Sequence, residues 1–312
     1  MFLRKIRVSI TKLILPILYI FLKLLKANTR TVNFLNNKKI YANNSYNFQN
    51  NIESLIKNKK LICLDAGAQG GFNSDKFFPE KYNQYFDSIL IDPLQNSLEK
   101  GKSKYILNKG LWSSKCTKKL YILNKRPQSS SMYEPNKDSL TIYDFKEKDF
   151  QLFEVSKTEE VECDTLASSL KELKINNLDY LKIDTQGAEL EILKGLGEYR
   201  PLMIKCEVRI FPMYKKEPSW TEVTDFLYKL GYIVSDWKTI GSHATRTPVE
   251  MDMVFLPNFL LDAGKKLILE KEKEFISLML ISGQIKLLKK VSKILDFKNS
   301  QFFLKTEDKY FN

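Results

Sequence analysis

Residues 181–195 read Leu-Lys-Ile-Asp-Thr-Gln-Gly-Ala-Glu-Leu-Glu-Ile-Leu-Lys-Gly. An apolar run ends on Asp184, a turn follows at Gly187, and helical periodicity begins at once. The same event occurs upstream, where the apolar run 61–64 ends on Asp65 and Gly67-Ala-Gln-Gly-Gly71 follows. A strand that turns through glycine into a helix is the repeating unit of an open, mostly parallel α/β sheet. Parallel strands all end on one side, so two such units bring both acids to one edge. Ligands of these sheets bind there, outside the carboxyl ends of the strands.

Several further segments carry a specific resemblance. Lys182-Ile-Asp-Thr-Gln-Gly-Ala-Glu189, with Leu193-Lys-Gly195 behind it, resembles the hallmark of the FkbM family of S-adenosylmethionine-dependent methyltransferases. Asp65-Ala-Gly-Ala-Gln-Gly-Gly71 resembles that family's nucleotide loop, and Ile91-Asp-Pro93 resembles its second strand end. Ser129-Ser-Ser131, Glu207 in Ile204-Lys-Cys-Glu-Val208, and Met251-Asp-Met-Val-Phe255 follow in the expected order. The resemblance spans roughly residues 60–260. It implies a Rossmann-like class I methyltransferase fold, a mostly parallel sheet with helices on both faces. Three positions depart from the family pattern: Gln69 replaces asparagine, Gln186 a common glutamate, and Ala167 a frequent aspartate.

The glycine loop itself separates two nucleotide classes. A dinucleotide fingerprint starting at Gly67 needs glycine at 69 and 72, where this chain has Gln69 and Phe72. A methyl-donor loop is more permissive, because its ligand has no pyrophosphate to cradle. The resemblance places S-adenosylmethionine against the loop of Gly67, Ala68, Gln69 and Gly71, which the two glycines shape, and Asp65 either faces the cofactor's cationic amine or positions that loop. Asp92 lies about 20 residues beyond the loop, the offset of a ribose-binding acid. Each acid has a bland alternative, since a strand-end aspartate is often a turn former or helix cap.

Methyl transfer to a hydroxyl needs an aligned acceptor and a group that takes its proton. The candidates are Asp184, Glu189, Glu207 and His243. Asp184 is the strongest by position, with helix capping as its alternative role. Ser130, Ser131 and Glu189 are candidate substrate-binding residues, the serines in a long polar loop that could equally be only a connection, and Glu189 as a group that could serve only the helix N-terminus. No zinc site is expected, because Cys63, Cys116, Cys163 and Cys206 lack ligand spacing and His243 is the sole histidine, while Asp184 and Glu207 together could hold a divalent cation that lowers the pKa of an acceptor hydroxyl. The cysteines read as buried thiols of a reducing compartment.

The formal net charge is +13, yet only seven of the 50 basic residues are arginine. No stripe of arginines with interleaved aromatics suggests a nucleic-acid surface. An anionic membrane or acidic glycan is the better match. Residues 2–26 contain no acid. At helical spacing Arg4, Lys5, Lys12, Lys23 and Lys26 fall on one side, opposite Phe2, Ile6, Ile10, Leu13, Ile17, Ile20, Phe21 and Leu24. The apolar run 13–22 is short of the ~20 residues a membrane span needs. The pattern fits an interfacial helix, bent at Pro16, with a signal peptide or a helix packed on protein as competitors.

The expected organisation is a membrane-surface helix (1–26), a linker with a lead-in helix (27–58), a methyltransferase domain (59–260) and a C-terminal helical extension (261–312). Strands are expected at 61–64, 88–91, 105–109, 119–123, 180–183, 202–208, 232–235 and 253–256. Helices are expected near 51–57, 166–173, 188–193 and 220–230 and through 263–297, with a helix or turn at 74–81. The resulting reading is a cytoplasmic methyltransferase held peripherally at the inner face of the membrane. Its acceptor is a hydroxyl, on a sugar in a glycan or on a small metabolite. The rivals are a nicotinamide-dependent oxidoreductase and a catalytically silent membrane-associated scaffold.

Overall fold

The computed structural model describes residue 17 and residues 47–304, except 58, 95–102, 124, 144 and 241–247. The chain divides into two compact units, Met1–Ile52 and Glu53–Asn312. The amphipathic segment 2–26 lies outside the described residues apart from Ile17, and His243 lies outside them too. Among the described residues no helix is long and apolar enough to cross a membrane.

Helix α1 (Gln49–Ile56) leads into strands β1 (Leu61–Ala66), β2 (Phe86–Ile91) and β3 (Tyr105–Leu107). Next come β4 (Gly110–Leu111), β5 (Cys116–Ile122) and β6 (Lys157–Asp164). Helix α2 (Leu166–Glu172), β7 (Tyr180–Ile183), α3 (Glu189–Lys194) and β8 (Met203–Arg209) form the centre. Helix α4 (Trp220–Lys229), β9 (Tyr232–Ile240) and β10 (Glu250–Pro257) follow. The chain then runs through α5 (Asp262–Glu270), α6 (Glu272–Ile281) and α7 (Ile285–Leu295).

Seven strands form one sheet in the order β3-β2-β1-β7-β8-β10-β9. The first five are parallel, and β10 runs antiparallel to both β8 and β9. The order reverses between β1 and β7, so the ends of β1 and β7 open a crevice where ligands of such sheets bind. A smaller sheet, β4-β6-β5, was not foreseen as a unit. Its middle strand, β6, is Lys-Thr-Glu-Glu-Val-Glu-Cys-Asp and largely exposed, so it has no apolar alternation to read.

Local chemistry explains most boundaries. Ser219 and Glu222 close a capping box at the start of α4, with Ser219 N donating to Glu222 Oε2 at 2.8 Å. After a turn that ends at Asp75 the chain is irregular through Pro79, and a short 3-10 helix, Glu80–Tyr85, starts only after that proline. Strands β9 and β10 extend well beyond their apolar centres. Cross-strand partners such as Arg209 and Glu250 continue the ladder where hydrophobicity stops.

Strand alternation gives the central sheet two unlike faces. Leu64, Ala66, Leu181, Ile183, Ile204, Cys206, Val208, Met251 and Met253 enter one continuous apolar core. Their alternates are Asp65, Lys182, Lys205, Glu207, Arg209, Glu250 and Asp252. Registered pairs share a face, so Asp65 stands beside Lys182, Lys182 beside Lys205, Glu207 beside Asp252, and Arg209 beside Glu250. This charged layer leads to the strand ends where the site lies. Cys63, Cys163 and Cys206 are buried, Cys116 is half-buried, and all four are free thiols.

Candidate active site

Gly67 sits at the end of β1 with φ +76°, and a Cβ on it would lie 1.9 Å from the Asp184 carbonyl oxygen. That close approach is why glycine occupies the position. The β1 and β7 ends are thus pressed together, with Gly67 N donating to Ile91 O at 3.0 Å and Asp184 N to Ala66 O at 3.0 Å. Above them opens a cleft of about 610 Å³, counting its solvent-open mouth. Gly67, Gln69 and Asp92 line it from the β1 and β2 ends, and Asp184, Thr185 and Gln186 from the β7 end. Ser130 and Ser131 cover it from the long loop, and Lys109, Gly110 and Leu111 close a further side.

Asp65 does not line the cleft. It is 1% exposed and lies beneath, with Lys182 Nζ 3.0 Å from its Oδ1. Burial lifts its carboxyl to about 6 against the pull of Lys182. Burial also pulls the Lys182 ammonium toward neutrality. Asp65, Asp184 and Asp75 outweigh that and hold its pKa above the ordinary lysine value. Ala68 is buried, and Gly71, at φ +85°, donates to Ala68 O at 2.9 Å and closes the turn. Both shape the loop from behind the cleft wall. Asp92 is 6% exposed and accepts from Leu94 N at 2.8 Å.

Glu189 is buried and folds back on its own loop. Its Oε1 accepts from Thr185 N at 2.9 Å, Thr185 Oγ1 at 3.2 Å and Gly187 N at 3.2 Å. It therefore shapes the turn between β7 and α3, and it does not line the cleft. The serines also hold the loop. Ser130 Oγ accepts from Leu123 N at 3.1 Å, and Ser131 Oγ donates to Gln186 O at 2.6 Å.

Asp184 and Glu207 come together through Gln186, which sequence reading treated only as a departure. Gln186 Nε2 donates to Asp184 Oδ1 at 2.9 Å and to Glu207 Oε1 at 3.2 Å. Arg209 Nη2 meets Glu207 Oε1 at 2.5 Å and Gln186 Oε1 at 2.9 Å. Burial, reinforced by Asp184, raises the Glu207 carboxyl well above its ordinary range despite Arg209. Sequence reading also missed Lys182, Arg209 and Tyr214. A signal existed for the first two, since Lys182-x-Asp184 and Lys205-x-Glu207-x-Arg209 place charges at period two inside apolar strands.

An open sheet with one antiparallel strand beside its edge, and a cleft at the β1 and β7 ends, is the architecture of a methyltransferase. The model of the methyltransferase FkbM domain matches residues 65–234, over half of the chain, and the chain belongs to that family. The protein is thus a methyltransferase. No curated protein matches the chain.

Proposed function

We propose that the protein transfers a methyl group from S-adenosylmethionine to a hydroxyl, on a sugar in a glycan or on a small metabolite. One observation carries the reading: a single cleft has Gly67, Gln69 and Asp92 on one side and Asp184 on the other. The residues fit the cofactor's chemistry. Gln69 Oε1 is buried at the cleft wall without a hydrogen-bond partner among the described residues, an acceptor suited to a cationic amine. Asp92 supplies the carboxylate that ribose hydroxyls require. When bound there, the cofactor would supply an electrophilic methyl group on a sulfonium.

The chain's own residues handle orientation and the proton. Asp184 keeps a side-chain exposure of 27%, the largest within its ion-paired cluster with Asp65 and Lys182. It is the acid placed to take a proton from an acceptor hydroxyl. Glu207 stands behind it, joined through Gln186. The loop carrying Ser130 and Ser131 covers the cleft and limits water.

The reading is tested by thermal shift with S-adenosylhomocysteine, NAD and NADP. S-adenosylhomocysteine at about 100 times its Kd should stabilise the protein by ~2.7 kcal/mol. Asp92→Ala should weaken that binding by roughly 1–3 kcal/mol, the scale of a lost charged hydrogen bond. Stabilisation by NAD alone would overturn the assignment.

Residues 2–26 motivate a second proposal, that the protein is cytoplasmic and attaches peripherally to an anionic membrane. Five cations facing a wide apolar side match an interfacial helix. In vesicle co-sedimentation with anionic lipid, the full chain should pellet and a chain lacking residues 1–26 should not. High salt should release only part of the bound protein, because apolar insertion persists when charges are screened. Equal partitioning of the two forms would refute membrane attachment through this segment.

A further inference from the structure

Gln186 makes more polar contacts than a cleft-lining side chain needs. Its backbone has φ +60°, a left-handed conformation that residues with a side chain rarely adopt. The Ser131 hydroxyl holds its carbonyl at 2.6 Å. Two groups fix the far end of the side chain. Arg209 Nη2 and Tyr214 Oη each donate to Oε1 at 2.9 Å. Arginine has no acceptor, so the amide must turn its oxygen toward Arg209 and its nitrogen the other way. That nitrogen meets Asp184 and Glu207 at 2.9 and 3.2 Å.

We propose that Gln186 is the positioning residue of the proton-accepting end of the site: its carboxamide, locked by Arg209 and Tyr214, holds Asp184 and Glu207 together on one –NH2 group. The role as stated rests on the methyl-transfer reading above, in which Asp184 takes the acceptor proton. Two carboxylates brought this close repel each other, and burial already raises the Glu207 carboxyl; a donor to each acid lowers the cost of ionising the pair. The amide supplies one N–H to each. A glutamate at this position would instead add a third acid.

The surroundings leave no other shared donor between the two acids among the described residues. Lys182 approaches Asp184 at 3.8 Å but belongs chiefly to Asp65 at 3.0 Å. Arg209 serves Glu207 and lies 3.8 Å from Glu250. From β10, Glu250 and Asp252 add negative charge, and Asp252 is paired with Lys205 at 2.7 Å. Asp75 neighbours Lys205 at 2.8 Å, and Glu217 adds a further acid near Arg209.

The test is the pH dependence of the melting temperature of the full chain and two variants, without ligand. In Gln186→Leu the pair loses both N–H groups and holds its proton more tightly than in the wild type. A carboxyl whose pKa rises on folding stabilises less as pH increases. The deficit against wild type should therefore widen from pH 5 to pH 8, by about 2 °C for each pK unit the pair rises. In Gln186→Glu a protonated carboxyl at pH 5 can still donate, so this variant should melt near wild type at pH 5 and fall below it at pH 8. A Gln186→Leu deficit that is equal at both pH values would reduce Gln186 to packing and overturn the proposal. So would a Gln186→Glu variant that fails to fold at pH 5. The titration needs no methyl donor, so its failure is distinct from failure of S-adenosylhomocysteine to bind.

Discussion

Replacing Lys182 with methionine should cost about 3–5 kcal/mol, the scale for removing one partner of a buried ion pair. Lys182 and Asp65 have side chains 4% and 1% exposed, with Nζ and Oδ1 3.0 Å apart. Without the ammonium, Asp65 is left as an uncompensated carboxylate between β1 and β7. Its pH dependence identifies the cause. With Lys182 present the Asp65 carboxyl already titrates near 6, above its ordinary value, through burial. The folded state thus holds this proton more tightly than the unfolded chain, and Asp65's contribution to stability is lost as pH rises from about 4 to 6. In Lys182→Met that loss should continue above pH 6, so the gap to wild type grows between pH 5 and pH 8. Urea denaturation at both pH values checks this. An equal gap at the two pH values would show that lost packing of the lysine stem, not the stranded charge, sets the cost.

Gly67→Ala should be the next most damaging change, and its magnitude can be separated into two effects. The left-handed backbone costs a residue with a side chain about 1–2 kcal/mol. The added Cβ also lands 1.9 Å from the Asp184 carbonyl oxygen, where only backbone can yield. Overpacking of this kind adds about 1–3 kcal/mol. Gly231→Ala is the control, since Gly231 has φ +86° but nothing within 4 Å of its Cβ position. Denaturation should show Gly231→Ala paying the backbone cost alone and Gly67→Ala losing about twice as much. Similar losses would mean that the β1 and β7 ends separate easily. The cleft would then not depend on their contact.

Most of the sheet was legible because buried parallel strands are continuous apolar runs. β7 was read at its observed bounds, and β1, β2 and β8 to within two residues. Strand β6 was not legible, because five of its eight residues are acidic or basic, three of them in an exposed stretch before Val161 gives any apolar signal. Within the site, Asp92 and Asp184 were found by their places at strand ends, and both line the cleft. Asp65 was found by the same logic, but side-chain direction decides its neighbours. Its alternation along β1 turns it toward Lys182 beneath the cleft. Glu189 illustrates the same limit from a helix, since its position suggested substrate contact while its carboxylate closes its own turn.

The alternation of strands and helices, the glycine turns after Asp65 and Asp184, and the family are all written in the chain. These rest on local pattern: periodicity, turn chemistry and short motifs act over a few residues. Only the tertiary structure decided that Gln186 joins Asp184 to Glu207, that Arg209 and Tyr214 orient it, and that Lys182 neutralises Asp65. Residues 65 and 182 meet because β1 and β7 are neighbours at the point where the strand order reverses. A side chain's partners across that junction depend on register and facing, which no window of neighbouring residues contains.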